Sequence, residues 1–331
     1  MGRTGQRRSL AREPIFEELG LRALLHAYPR DLVDGTIDAV GCAEQRERML
    51  PAHLVLYFVL GLALFPHLGY REVLRRVLKV TGADLSHDAS SPALSKARRR
   101  LGVPVFEELF RRVTPDLSRS EVAVPGFGRL NVVTATRIDL TLDAGLHALR
   151  DVPTGAVLAA GISTTDRSVP QVWSFLSSAL GGRTLVVADE LDDVRPSVPR
   201  LIRRDSNDLL WRPGAGFRFV PESVLSDGSV LCRGDFSTPR SPRAQFRVLD
   251  RNGGDPMAAH APVRDRLMTT WLDHRAAPAR MLAALHGASM PMARSVAQRD
   301  TTFVPRSKDP AGVEQEIWAL LLAQRAIGIG G

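Results

Sequence analysis

"TLVVADELDDV", residues 184–194, passes from an apolar run directly into four carboxylates. Thr184 to Ala188 reads as a short buried strand, because β-branched and aliphatic residues cluster there and Gly181-Gly182 punctuates its start. Asp189 stands at the exit of that strand. The carboxyl end of a buried strand is where α/β folds place ligands and metals, and it is equally an ordinary place for a loop or a helix cap to begin.

The neighbouring stretches continue the pattern. A helical period over 170–180 precedes the strand, and a helix over 197–204 and a strand over 208–212 follow it, which is α/β order. Upstream, Ile138, Leu140 and Leu142 alternate with Asp139, Thr141 and Asp143 before Ala144-Gly145 turns the chain into "LHALRDV", a hairpin. Residues 213–276 change to short strands and turns, read as a β-rich insertion. A last helix opens at Asp309-Pro310, a good N-cap and first turn, and carries Val313, Ile317, Leu320 and Leu321 on one face. Residues 1–115 differ in kind: "PRDLVDGTIDAVG", "LVLYFVLGLALF", "YREVLRRVLKV" and "PVFEELFRRV" all have helical spacing, with breaks at Gly82, Pro92 and Pro115. The expected class is therefore α+β. A helical domain over 1–115 precedes an α/β domain over 116–331 that carries the β-rich insertion at about 213–276.

The 331 residues suffice for two domains with hydrophobic cores, and a 44% hydrophobic content excludes wholesale disorder. A net charge of +8 favours a polyanionic partner, nucleic acid before membrane. Only Lys79, Lys96 and Lys308 are lysines among the 44 basic residues, which suits bidentate phosphate contacts and is equally explained by a GC-rich genome. Two cysteines, Cys42 and Cys232, suggest neither a disulfide framework nor a zinc site. Residues 1–20 are polar rather than a signal peptide, and the apolar run at 54–65 is shorter than the roughly 20 residues that cross a bilayer, so a cytoplasmic chain is expected.

"SPALSKARRRLG", 91–102, reads as a helix ended by Gly102. At 100° per residue Leu94, Ala97 and Leu101 share one face, Lys96, Arg99 and Arg100 share another, and Arg98 lies near them. Following "YREVLRRVLKV" after a turn, this resembles a helix-turn-helix whose second helix meets DNA through Lys96, Arg98, Arg99 and Arg100. A solvated charged face is the other reading.

The order of stretches is itself informative. "LPAHLVLYFVLGLALFPHLGYREVLRRVLKV" with "LSKARRRLG" looks like the N-terminal domain of the insertion-element-four family of DDE transposases. "LVVADELDDV" with "DLLWR" and "RSKDPAGVEQEIWALLLAQRAI" resemble stretches of that family's catalytic domain. The resemblance implies a ribonuclease H-like core with a β-rich insertion, a bacterial insertion sequence as origin, duplex DNA at transposon ends as partner, no membrane, and a homodimer as an open alternative. It also implies two Mg²⁺ ions held by three carboxylates, which activate the attacking oxygen and stabilise the leaving one.

Asp189 matches the second of those carboxylates and would be the metal ligand retained by descent. For the first, the hairpin at "LDAGLHAL" makes 136–152 the second and third strands of the core and leaves only "SEVAVPGFGRLN", which has no aspartate. The rival alignment places Asp139 on the first carboxylate. The four positions of the family's helical glutamate signature fall on His286, Ser289, Ala293 and Asp300, none of which retains the family residue, and Gly287 and Pro291 are expected to break the helix. Glu314 and Glu316 could supply a substitute carboxylate or simply favour the positive end of the last helix. His87 and His147 read as surface or turn residues, and the serines show no paired His and Asp. The expectation is a DNA-binding relic that retains no Mg²⁺. The alternative is a working metal-dependent transposase using Asp139, Asp189 and an unassigned glutamate.

Overall fold

The computed structural model describes residues 14–42, 49–84, 89–114, 122–141, 144–190, 207–214, 219–234, 244–252, 255–257, 265–300 and 304–327. Its helices are α1 (Pro14–Ala27), α2 (Arg30–Ala39), α3 (Ala52–Leu64), α4 (Tyr70–Thr81), α5 (Ser91–Leu101), α6 (Pro104–Val113), α7 (Val169–Leu176), α8 (Ala279–Asp300) and α9 (Pro310–Ala326). Its strands are β1 (Val122–Val124), β2 (Gly128–Thr141), β3 (Ala144–Asp151), β4 (Val157–Ser163), β5 (Thr184–Glu190), β6 (Asn207–Arg212), β7 (Phe219–Val224), β8 (Val230–Gly234), β9 (Ala244–Asp250) and β10 (Arg266–Thr269). The chain divides into two compact units, one of residues 1–113 with 305–329, the other of residues 114–304 with 330–331. None of the described helices is long and apolar enough to cross a membrane.

The first unit is built around α3. Nine consecutive residues from Leu54 to Leu62 are buried, as a helix apolar on all sides requires, and α1, α2, α4, α5 and α9 pack around it. Val73, Leu74 and Val77 form the inward stripe of α4, which ends at Gly82 in a left-handed cap with φ 68°. Gly61 sets the α3–α4 crossing, since a Cβ there would stand 3.0 Å from Val73 Cγ1.

The last helix opens as its sequence indicates, with the Asp309 carboxylate accepting from the Gly312 amide at 3.2 Å and Pro310 in the first turn. Its place in the molecule differs from expectation: α9 belongs to the first unit rather than to the α/β domain. The cause is what it buries. Trp318 packs on Phe110 with ring centroids 5.3 Å apart, and the Leu322 carbonyl accepts from the buried Tyr28 hydroxyl at 2.8 Å.

The second unit is one mixed sheet in the order β4-β3-β2-β5-β6-β10-β9-β8-β7, with β1 paired to the start of β2. The β2–β5 and β5–β6 pairs are parallel, and the remaining pairs are antiparallel. The strand expected to begin at 136 begins earlier: β2 runs without interruption over 128–141, and its residues 131–135 pair with β5. The segment read as a β-rich insertion supplies β7 to β10, and β10 pairs with β6, so these strands continue the same sheet. The helix expected over 197–204 lies outside the described residues.

Alternate residues of the central strands face two cores. Val133, Ala135, Val186, Ala188, Leu209 and Trp211 pack with α7, while Leu130, Val132, Leu185, Val187 and Leu210 pack with α8. The helix α8 runs without interruption through Gly287 and Pro291, contrary to the expected break. A helical proline strikes the carbonyl four residues earlier, and here that residue is Gly287, whose backbone yields most easily. Leu282, Ala283 and Met290, all buried in the sheet-side core, hold the helix in place.

The first turn of α8 is tied to the outer strands. Asp227, in the β7–β8 turn, accepts from the Ala279 amide at 2.9 Å and pairs with Arg247 of β9 at 2.5 Å. Arg247 is fully buried and also donates to the carbonyls of Trp271 and Ala277, at 3.1 and 2.9 Å, and to the Ser229 hydroxyl at 3.0 Å.

Candidate functional site

The basic helix α5 begins with the Ser90 hydroxyl accepting from the Ala93 amide at 3.3 Å and Pro92 in the first turn. Its buried stripe is Leu94, Ala97, Arg98 and Leu101. Arg98 therefore does not belong to the exposed basic face on which the sequence reading placed it. It lies four residues after Leu94 and three before Leu101, and that spacing points it inward.

What makes this tolerable is a full set of acceptors. Arg98 donates to Glu316 Oε1 at 2.9 Å, the Tyr70 hydroxyl at 2.6 Å, the Gly312 carbonyl at 3.0 Å and Gln315 Oε1 at 3.3 Å. Both members of the Arg98–Glu316 pair are almost wholly buried, with side chains 5% and 2% exposed. Glu316, expected to favour the first turn of α9 or to replace a catalytic carboxylate, is thus spent inside the helical unit, where its Oε2 also accepts from the Arg306 amide at 2.7 Å.

Lys96, Arg99 and Arg100 are exposed, and Arg100 additionally reaches the Leu50 carbonyl at 2.8 Å. On α4, Arg71, Arg75 and Lys79 are also exposed, at successive four-residue steps. Arg75 is paired with Glu72 there, and Lys79 with Glu18 at 3.3 Å.

In the second unit Asp189 ends β5 at a register shift between Ala188 and Glu190. Its Oδ1 lies 3.0 Å from Arg212 Nη2, and its side chain is 31% exposed. It is a strand residue rather than a loop residue. Arg212 follows Trp211, which faces α7, and so lies on the α8 side. On that side His286 of α8, 1% exposed, approaches the Ala188 carbonyl at 3.3 Å through Nε2. Burial is the main force lowering the His286 pKa, while the Asp189 carboxylate opposes it and Arg251 and Arg212 add to it. Neighbouring charges therefore place one carboxylate and two guanidinium groups around this imidazole.

Asp139 lies elsewhere. It is on β2 four residues beyond Ala135, the residue paired with Ala188 at the end of the β2–β5 ladder, a separation of about 13 Å along the strand. Its face is also different. Asp139 accepts from Arg137 at 3.0 Å, Arg137 is paired across the sheet with His147, and His147 meets Trp173 of α7 edge-on at 5.7 Å. The two carboxylates thus emerge on opposite faces of the sheet. The side chains of Glu190, Ala293 and Asp300 lie outside the described residues. Among the described residues no three His, Cys, Asp or Glu side chains gather as a metal site.

A divalent pair would need clustered oxygen donors. Asp189 instead shares its carboxylate with the Arg212 guanidinium. The described residues do not fit the metal chemistry that the resemblance implies, and no catalytic step follows from them.

His147, expected at the surface or in a turn, lies within β3 and is fully buried. Its Nε2 is 2.9 Å from the Ser163 hydroxyl, which in turn donates to the Gly145 carbonyl at 3.2 Å, so the imidazole must supply the proton between them. A serine hydroxyl engaged in this way is not an activated nucleophile. Burial, with Arg137 nearby, pushes the imidazole pKa down to about 4.

Sequence reading missed the surroundings of Asp189, since Arg212 pairs with it from 23 residues away and His286, 97 residues away, reaches the carbonyl of the preceding Ala188. A signal for Arg98 did exist, in its place on the Leu94–Leu101 stripe.

No curated protein matches the chain. Among solved structures, a cryo-EM piggyBac transposase synaptic complex with hairpin DNA is similar at 9% identity, over 93% of this chain and 75% of that one, with a TM-score of 0.40. The helical unit is where the resemblance is borne out: residues 18–111 match the family described as insertion element 4 transposase N-terminal.

Proposed function

We propose that this chain is a transposase-derived protein that binds duplex DNA through the exposed face of α5, with Lys96, Arg99 and Arg100 meeting phosphates, and that it does not cut the DNA. The match of its N-terminal domain to the transposase family and its net charge of +8 support the DNA half. The non-cutting half is carried by one observation, the placement of Asp139 and Asp189 on opposite faces of the sheet. A ribonuclease H-like core is part of this reading. It is supported by the strand order β4-β3-β2-β5-β6, with antiparallel outer pairs and parallel inner ones. Cytoplasmic location belongs to the same proposal.

Phosphate contacts release counterions, so Lys96→Ala/Arg99→Ala should flatten the log–log salt dependence of duplex binding by about two. Fluorescence anisotropy across a salt series reads it, and an unchanged slope would remove α5 from the interface.

With millimolar Mg²⁺ or Mn²⁺ the protein should neither nick nor join DNA carrying its transposon ends, and its melting curve should not move. Metal-dependent cleavage that Asp189→Ala abolishes would overturn the non-cutting reading.

A further inference from the structure

The one basic residue of α5 that is not exposed lies amid acceptors contributed largely by the C-terminal helix. Glu316, Gln315 and the Gly312 carbonyl of α9 all receive hydrogen bonds from Arg98, and Gln315 Nε2 returns one to the Arg98 carbonyl at 2.8 Å. The chain near this network is further fixed by Arg306, which donates to the carbonyls of Leu68, at 2.5 Å, and Phe65. These contacts join residues separated by more than two hundred positions.

We infer that α9 sets the DNA-contacting face of α5: Glu316 withholds Arg98 from phosphate and, through it, holds the helix so that Lys96, Arg99 and Arg100 face outward. This rests on the proposal that α5 meets DNA. The physical reason is the character of guanidinium. A buried lysine or histidine that loses its counter-charge can shed its proton, but arginine cannot at any ordinary pH. An unpaired buried charge is strongly unfavourable. Deprived of Glu316, Arg98 therefore has only a geometric escape, which is to turn toward water and join the cations one residue away on its own helix. The C-terminal helix thus acts on the number of phosphates that α5 contacts without touching DNA itself.

The test uses the full chain and reads the log–log salt slope of duplex binding, measured below the melting temperature of each variant. In Glu316→Leu the released Arg98 should steepen the slope by about one. In Arg98→Met/Glu316→Leu, where apolar groups replace the pair, the slope should return to that of the parent. If Glu316→Leu does not fold, Glu316→Gln removes the charge while keeping an acceptor, and the same steepening is expected in smaller measure.

Two results would overturn the inference. One is an unchanged slope in a folded Glu316 variant, which would make the pair a matter of stability alone. The other is a double variant whose slope is flatter by about one, which would mean that Arg98 already contacts DNA in the parent. Failure of the underlying proposal is seen separately, as absent duplex binding or a Lys96→Ala/Arg99→Ala variant whose slope matches the parent.

Discussion

Asp227→Ala is expected to destabilise the second unit by about 3–5 kcal/mol, the range for removing one member of a buried ion pair. Arg247 is fully buried and the Asp227 side chain only 13% exposed, so solvent does little to screen the loss. The substitution leaves Arg247 with its two carbonyl acceptors and a hydroxyl but without its ion-pair partner, the exposed Asp273 carboxylate acting on it only from a distance. It also removes the acceptor for the Ala279 amide, one of the donors left unpaired at the start of any helix. Asp227→Ala/Arg247→Met should recover much of the stability, because it removes the stranded charge as well. Urea melts followed by tryptophan fluorescence are a suitable measurement, given Trp173, Trp211 and Trp271 in this unit. A loss below about 1 kcal/mol for Asp227→Ala would show that the pair does not hold the outer strands to α8.

Acid should destabilise the protein through His147 by about 1.4 kcal/mol per pH unit inside a defined window. The folded pKa, near 4, lies below the ordinary value of 6.5. Between these values the unfolded chain binds the proton and the folded chain does not, so stability is fully present above about pH 6.5 and is lost as the pH falls toward 4. The imidazole is fully enclosed beside Trp173 and Ser163, with the Arg137 guanidinium opposing its protonation and the Asp139 carboxylate favouring it less strongly. Other groups also change charge as the pH falls, so the informative quantity is the difference between the parent and His147→Gln. The variant should lose one proton's worth of slope between pH 6.5 and 4. Parallel stability curves for the two proteins across that window would show that His147 is not held neutral in the fold.

Much of the local structure was legible in the residues themselves. The continuous apolar run of α3, the Gly82 and Gly102 stops, the Asp309 cap and the alternation entering the hairpin are all short-range signals, and each produces its element where expected. The strands read at 184–188 and 208–212 are found as Thr184–Glu190 and Asn207–Arg212, because buried parallel strands are compact runs of aliphatic residues.

Short-range signals failed wherever a distant partner decided the outcome. Pro291 should end a helix on propensity alone, yet packing against the sheet carries α8 through it. Arg98 looks like a surface cation until Glu316 arrives from the far end of the chain. Asp139 and Asp189 each look like a metal ligand in sequence, but register and strand parity send one toward α7 and the other toward α8. The family resemblance of residues 18–111, the helical punctuation and the positive charge were determined by the sequence alone. Which arginine is buried, which unit owns α9 and which carboxylates can meet were decided by tertiary structure, because burial and facing depend on partners that no local window of residues contains.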